Sequence, residues 1–328
     1  LTSLDLSSFD TSKVGTIEEW EQGSMQALFG NCSSLTSLDL SNFDTSHITQ
    51  MCNMFKGCSS LKSLDVSHFD TSMCYWMQGM FQGCSSLTSL DLSHFDTRKV
   101  TQMEYMFAEC SSLTSIDLSQ FSLESLIGST RGLFRNCSSL KSIESLHLNS
   151  SFTLIDMEWF KGCTSLESAN IPDFMTKIGF GAFKDCTSLE TVSVPSNITV
   201  IDDYAFENCS KLSSFVFPPS VAITGQHCFF GCTALKEVVL PAKMEGYCLF
   251  DGCWDISKIT ATASDPEEVG ISYNDFSSTI LTKANVFVPQ GSLDKYKKHS
   301  RWKKFKRLFE TGFSPDDEFM AVGMTFRI

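Results

Sequence analysis

No run of 18 apolar residues occurs in this 328-residue chain, so no segment is predicted to cross a membrane as a helix. Basic residues are scarce. Against 38 Asp and Glu stand only 25 Lys and Arg, a formal net charge of −13, which argues against a nucleic-acid backbone as the main partner. There is no Gly-rich phosphate loop and no His-Glu-x-x-His. Histidine is rare too, and His68 and His94 share a repeat position that other units fill with Ser8, Asn42 and Gln120. A catalytic base would not be exchanged for Ser or Gln from unit to unit. His227 beside Cys228, and the Cys228-x-x-x-Cys232 pair, fit zinc-ligand spacing poorly. No enzyme, no cofactor and no metal site is expected.

What the chain does have is one unit, repeated. Phe-x-x-Cys ends at Cys32, Cys58, Cys84, Cys110, Cys137, Cys163, Cys186, Cys209, Cys232 and Cys253, with gaps of 26, 26, 26, 27, 26, 23, 23, 23 and 21 residues. A period in this range predicts a solenoid, whose units are too small to bury an apolar side alone and must stack. The strand of each unit reads Leu-x-x-Leu-x-Leu, as in Leu35, Leu38 and Leu40, then Leu61, Leu64 and Val66, then Leu87, Leu90 and Leu92. Leu38 and Leu40 alternate with Ser37, Asp39 and Ser41, as in a strand with one buried face. Phe-Asp-Thr-Ser follows at Phe43, Phe69 and Phe95, with the Phe inward and Asp-Thr-Ser as turn chemistry. Met51, Met54, Phe55 and Cys58 then stand at helical spacing, which predicts a short helix or helical turn opposite each strand. The methionines are expected to fill core rather than form a soft binding surface, because Leu28 and Leu133 take their place in the same column.

Ten of the fourteen cysteines occupy one repeat position. Column neighbours at strand spacing have parallel side chains, whereas a disulfide needs converging Cβ atoms, so the ladder is predicted to be reduced and buried. Cys52, Cys74, Cys228 and Cys248 lie off it.

The repeat sections the chain. Residues 1–168 carry the 26-residue type. Residues 169–260 carry a 23-residue type, continuous with the first, in which Pro172, Pro195, Pro218 and Pro241 follow the strands. Residues 261–310 form a C-terminal cap, with a last strand at Val286–Pro289 and a basic helix opened by Ser292 as N-cap. That helix is expected to turn Trp302, Phe305, Leu308 and Phe309 inward. Residues 311–328 are a linker and tail. An insertion of eight residues around Gly15–Gln22 puts Trp20 among Glu18, Glu19 and Glu21, either exposed on one edge or folded back as a partial cap. The chain opens in mid-repeat, so an export signal or lipoprotein anchor is expected upstream of Leu1.

One column bears on function. Asp5, Asp39, Asp65, Asp91, Asp117 and Glu144 all point out of the strand face, where like charges on adjacent strands repel. A cation or basic partner would relieve this; a solvated, solubilising column is the favoured alternative. Further along, the column becomes Ser193, Val216 and Val239, and the exposed Val pair is the better protein-contact candidate. Asp39, Asp65, Asp91, Asp117, Val216, Val239 and Trp20 are the candidate ligand-binding residues.

The motif Leu-Thr-Ser-Leu-Asp-Leu-Ser-x-Phe-Asp-Thr-Ser with Met-x-x-Met-Phe-x-x-Cys resembles the repeat of many bacterial surface lipoproteins. Ala-Phe-x-x-Cys-x-x-Leu before a strand ending in Pro resembles the leucine-rich repeat of BspA-like surface proteins, and Val286 to Tyr296 with Trp302 is similar to their C-terminal cap. The resemblance implies an α/β, right-handed leucine-rich-repeat solenoid, with short parallel strands on one face and short helices or turns on the other. It implies export to the surface of an anaerobic bacterium and adhesion to a host protein or glycan, matrix proteins such as fibronectin among them. No catalytic residue carries over. A monomer is expected, and a spacer that projects another domain is the competing reading.

Overall fold

The fold is described from a computed structural model for residues 2–4, 6, 8–12, 14, 23–271 and 275–311. Asp5, the insertion with Trp20, and the linker and tail from residue 312 onward lie outside the described residues.

The Phe of each Phe-x-x-Cys is fully sequestered, and these rings stack along the molecule. Phe29, Phe55, Phe81, Phe107, Phe134, Phe160, Phe183, Phe206, Phe229, Phe250 and Phe276 follow one another with centroids 5.2–5.9 Å apart and interplanar angles of 1–20°. One buried cluster runs from Met25 to Phe305. Burial of a ring of this size sets a cost of about 3–5 kcal/mol for its loss to Ala. Beside the rings, each ladder thiol from Cys58 onward donates to the Phe carbonyl of the coil before, as Cys84 does to Phe55 O at 3.2 Å and Cys163 to Phe134 O at 3.2 Å. No cysteine is disulfide-bonded, and nine of the ten ladder members are buried; Cys32 is exposed. Met51, Met54, Met77, Met80, Met103 and Met106 are buried as expected.

Opposite the Leu segments the coils are turns rather than helices. Two residues per coil adopt left-handed backbone, four apart, as in Asn53 (φ 56°) and Gly57 (φ 73°), or Tyr204 (φ 58°) and Asn208 (φ 61°). An α-helix cannot pass through such residues. Amides of this segment reach the next coil instead: Asn53 N to Gln78 O at 2.8 Å, Phe55 N to Met80 O at 2.9 Å and Gly57 N to Gln82 O at 2.7 Å. At Gly57 a Cβ would lie 2.7 Å from Asn31 Oδ1 in the neighbouring coil.

The strands depart from expectation in the N-terminal half. Leu61, Leu64 and Val66 are buried in alternation, yet no ladder joins residues 35–40, 61–66 and 87–92. The physical reason is local: each outward Asp bonds the amide two residues on and turns the chain, a competitor to strand pairing. In this column pairing starts with a bridge from Ser142 to Ser168 and the strands Ser168–Asn170 and Thr191–Ser193, whereas on the turn side Gly23–Ser24 already pairs with Ile48–Gln50 and bridges continue through Trp76 to Gln102. A five-stranded parallel sheet follows, made of Ser214–Val216, Glu237–Leu240, Lys258–Ala261, Asn285–Val288 and Arg307–Glu310. A second parallel sheet, unforeseen in the sequence, stacks six two-residue strands from Leu154–Ile155 to Val269–Gly270.

The cap also differs. A helix at Ser278–Lys283 opens with the Ser277 hydroxyl accepting from Ile280 N at 3.3 Å. The basic helix is only Leu293–Lys298, followed by a 3-10 turn at Trp302–Lys304 and then a strand. Leu308 and Phe309 therefore sit in that strand, paired with Val286 and Phe287, and not on a helix face. Extended backbone at His299 (ψ 138°) stops the helix. Ser292 holds the N-cap position, but its hydroxyl donates back to Pro289 O, and the Glu310 carboxylate accepts from Gly291 N at 2.8 Å in its place.

Candidate interaction faces

Asp39, Asp65, Asp91 and Asp117 of the acidic column are exposed, and each is committed to its own turn. Oδ1 of Asp39, Asp65 and Asp91 accepts from the amides of Ser41, Ser67 and Ser93, each at 3.0 Å, and that of Asp117 from Ser119 N at 2.9 Å. Asp65 also accepts from Ser67 Oγ at 2.7 Å. These amide bonds, with the serine hydroxyls, hold the carboxyls of Asp65, Asp91 and Asp117 below the usual carboxylate range. Repulsion from Asp65 is the weakest influence on Asp91, so the like charges perturb each other less than their serines do. Asp117 faces His147 Nδ1 at 3.7 Å. Among the described residues no group of three or more His, Cys, Asp or Glu is placed to hold a metal ion.

The sheet brings the two valines together. Val216 and Val239 are direct parallel partners on the outer face, and the row continues through Thr260, Phe287 and Phe309. Val216 is 60% exposed, Val239 and Phe287 are half-buried, and the Phe287 and Phe309 rings lie 5.7 Å apart. A polar row runs beside it, with Glu237 paired to Lys258 at 3.2 Å and Arg307 Nε donating to Asn285 Oδ1 at 2.6 Å. The structure thus unites Val216 with Val239 and keeps the aspartates in separate coils upstream. Sequence reading missed Phe287 and Phe309. The alternation Asn285-Val-Phe-Val288 already marked Phe287 as outward, but the spacing to Val239 differs from the repeat period and hid the register.

Other exposed aromatics include Trp254 (60%) and Tyr247 (56%) on the last coils, and the half-buried Phe180, Tyr204 and His227 are in contact along one edge, with Tyr204 and His227 stacked at 5.5 Å. No helix among the described residues is long and apolar enough to cross a membrane.

Comparison with known proteins places these features. Residues 153–282 match the family profile described as BspA type Leucine rich repeat region, in six copies. Residues 23–146 match the profile described as Mycoplasma protein of unknown function, DUF285. Neither profile describes an enzyme. No curated protein matches the chain. Among solved structures it is similar to a leucine-rich repeat protein from Bacteroides ovatus, at 18% identity and a TM-score of 0.60 over 88% of this chain and 66% of that one. It therefore spans about two thirds of that protein's length. It is also similar to a leucine rich cell surface protein from Faecalibacterium prausnitzii, at 22% identity and a TM-score of 0.46 over 87% of this chain and 81% of that one. Residues 153–282 are thus BspA-type leucine-rich repeats, and the stacked parallel coils of the chain share the fold of a leucine-rich-repeat protein.

Proposed function

We propose that this chain is an exported cell-surface binding module, wound right-handed, whose concave face and loops contact a host protein or glycan. One observation carries the reading: the outward row of Val216, Val239 and Phe287 leaves apolar surface on a sheet whose neighbouring row is charged. Apolar surface rimmed by polar groups is the ordinary look of a protein contact. The aspartates Asp39, Asp65, Asp91 and Asp117 would extend that face as a polar, negatively charged margin, and Trp20 would add an edge contact. Description of the Faecalibacterium protein as a cell surface protein supports the location.

Surface plasmon resonance against a panel of matrix proteins and glycans tests this. Val216→Glu with Val239→Glu is expected to weaken binding to a responsive panel member by about tenfold or more, since loss of a central apolar contact costs over a kcal/mol. The commitment of Asp39, Asp65, Asp91 and Asp117 to their own turns favours the competing reading, a spacer without a ligand of its own. A panel with no responsive member, or a double variant that binds as well as wild type, would establish the spacer.

A further inference from the structure

The last coil ends in a cleft of about 380 Å³ walled by Lys297, Lys303, Lys306 and Arg307 over an apolar floor that includes Phe305 and Leu308. Among the described residues no acidic side chain lines it. Five lysines of the coils face carboxylates, among them Lys161, which meets Glu158 at 3.1 Å, Lys177, which meets Asp202 at 2.9 Å, and Lys258, which meets Glu237 at 3.2 Å. Lys297, Lys303 and Lys306 are exposed, and none forms an ion pair among the described residues. Eight of the 25 basic residues fall between Lys295 and Arg307, in a chain with a net charge of −13. Like charges gathered around one concavity repel, and an anion seated between them removes that repulsion and gains charge-assisted hydrogen bonds.

We propose that this cleft binds a sulfated polysaccharide segment. Its chemistry separates that ligand from other polyanions. A membrane would need an apolar face next to the lysines, but Tyr296, Trp302 and Phe305 of the cap are all buried. Single-stranded nucleic acid would need exposed rings for its bases, and the aromatics that touch this cleft, Phe305 and Phe309, are buried as well. A long duplex would run on against the acidic coils. A short run of sulfates needs only a compact cluster of cations, some of them on lysine stems that can adjust to an irregular chain. The cleft is formed by the cap and lies at the far edge of the sheet from Val216, so the proposal does not rest on the outer-face reading.

The test uses the full chain and a heparin octasaccharide, titrated by calorimetry at about 50 and about 300 mM salt, where screening of such contacts differs strongly. Binding at low salt that weakens at high salt is expected. Lys303→Gln with Lys306→Gln should weaken it about tenfold at an unchanged melting temperature, while Lys303→Arg with Lys306→Arg should retain it. Lys62→Gln with Lys236→Gln, far from the cap, should leave it unchanged, and so should Val216→Glu with Val239→Glu. Several results would overturn the proposal. Equal affinity for neutral dextran is one, and an unaltered affinity in the Lys→Gln pair is another. Tighter binding to oligo-dT or to phosphatidylserine vesicles would assign the cleft to those polyanions. Salt-sensitive self-association without octasaccharide binding would assign it to a second copy's acidic coils. Binding only by a chain ending at Thr311 would assign it to the chain's own Asp316-Asp317-Glu318.

Discussion

Thr71 sits where the turn after Phe69 meets the next coil. It is buried, its hydroxyl donates to Asp96 O at 3.1 Å, and it accepts from Asp96 N at 2.8 Å. Thr11 and Thr97 make the same pair of bonds to Asp44 and Ser122. These threonines do for the N-terminal coils part of what strand pairing does later. Thr71→Val keeps the shape but leaves the half-buried amide and carbonyl of Asp96 without that partner, so a loss of about 1–2 kcal/mol is expected in urea unfolding, with Thr71→Ser closer to wild type. A Val variant as stable as wild type would show that the stacked rings alone hold the coils. The aspartates give a second expectation. Their folded carboxyls lie below the unfolded value because the serine amides and hydroxyls bond the charged form. A depressed carboxyl contributes stability that is present above the unfolded value near 3.8 and lost as pH falls through the folded value. The melting temperature should therefore hold down to about pH 5 and then fall with acid. In Asp65→Ala with Asp91→Ala it should start lower and show less of that acid loss, and an identical pH profile would remove the turns from the account.

Between residues and the whole stand the turn, the sheet row and the cap. Much of this level was legible because each coil repeats its own chemistry: Phe-x-x-Cys named the coils and the thiol column, and Leu61, Leu64 and Val66 named the inward side. What the sequence concealed were features decided between coils. Helical spacing at Met51, Met54 and Phe55 is shared by a pair of stacked turns, and only left-handed backbone at Asn53 and Gly57 tells them apart. Asp-x-Ser reads as well on a strand as in a turn. Phe276 extends the ring stack one coil beyond the last Phe-x-x-Cys, where no cysteine announces it. The outer row of Val216, Val239 and Phe287 was half legible, since its last member lies outside the repeat period. In the cap, Phe305 meets Phe276 edge-on at 5.3 Å and Trp302 meets Tyr296 at 5.1 Å, which closes the open end of the core. Glu310 ties the terminal strand back to the loop that opens the Leu293–Lys298 helix. Glu310→Ala should cost about 1 kcal/mol, the usual worth of such a cap. Ending the chain at Gln290 should expose Val286, Val288 and Ile280 and give aggregation at concentrations where wild type stays monodisperse in light scattering. A monodisperse truncated chain would show that the last coil needs no cover.

Over the whole molecule the ten-membered thiol ladder runs beside the ring stack, and its state follows from geometry and burial together. Each Sγ from Cys58 to Cys253 points to a carbonyl of the preceding coil rather than to another sulfur. Burial pushes the Cys58 thiol up to about 11 and that of Cys74, off the ladder, up to about 12, and raises Cys110, Cys137, Cys163 and Cys186 well above the ordinary range. The thiolate is the nucleophile, so these groups are doubly protected, by access and by protonation. Native protein at about pH 8 should therefore show one fast thiol, Cys32, and a slower one, the half-buried Cys248, with the rest reacting only as fast as coils open. In denaturant without reductant all fourteen should titrate. The melting temperature should not move on adding reductant, because no cross-link restrains the unfolded chain. Cys110→Ser would replace a weak donor in an apolar column with a hydroxyl of greater desolvation cost, whereas Cys110→Ala would leave only a small cavity. The Ala variant is thus expected to be the more stable of the two. If denatured, unreduced protein instead shows only the four thiols outside the ladder, the column is oxidised in pairs and the coils are held by bonds rather than by stacked rings and buried hydroxyls.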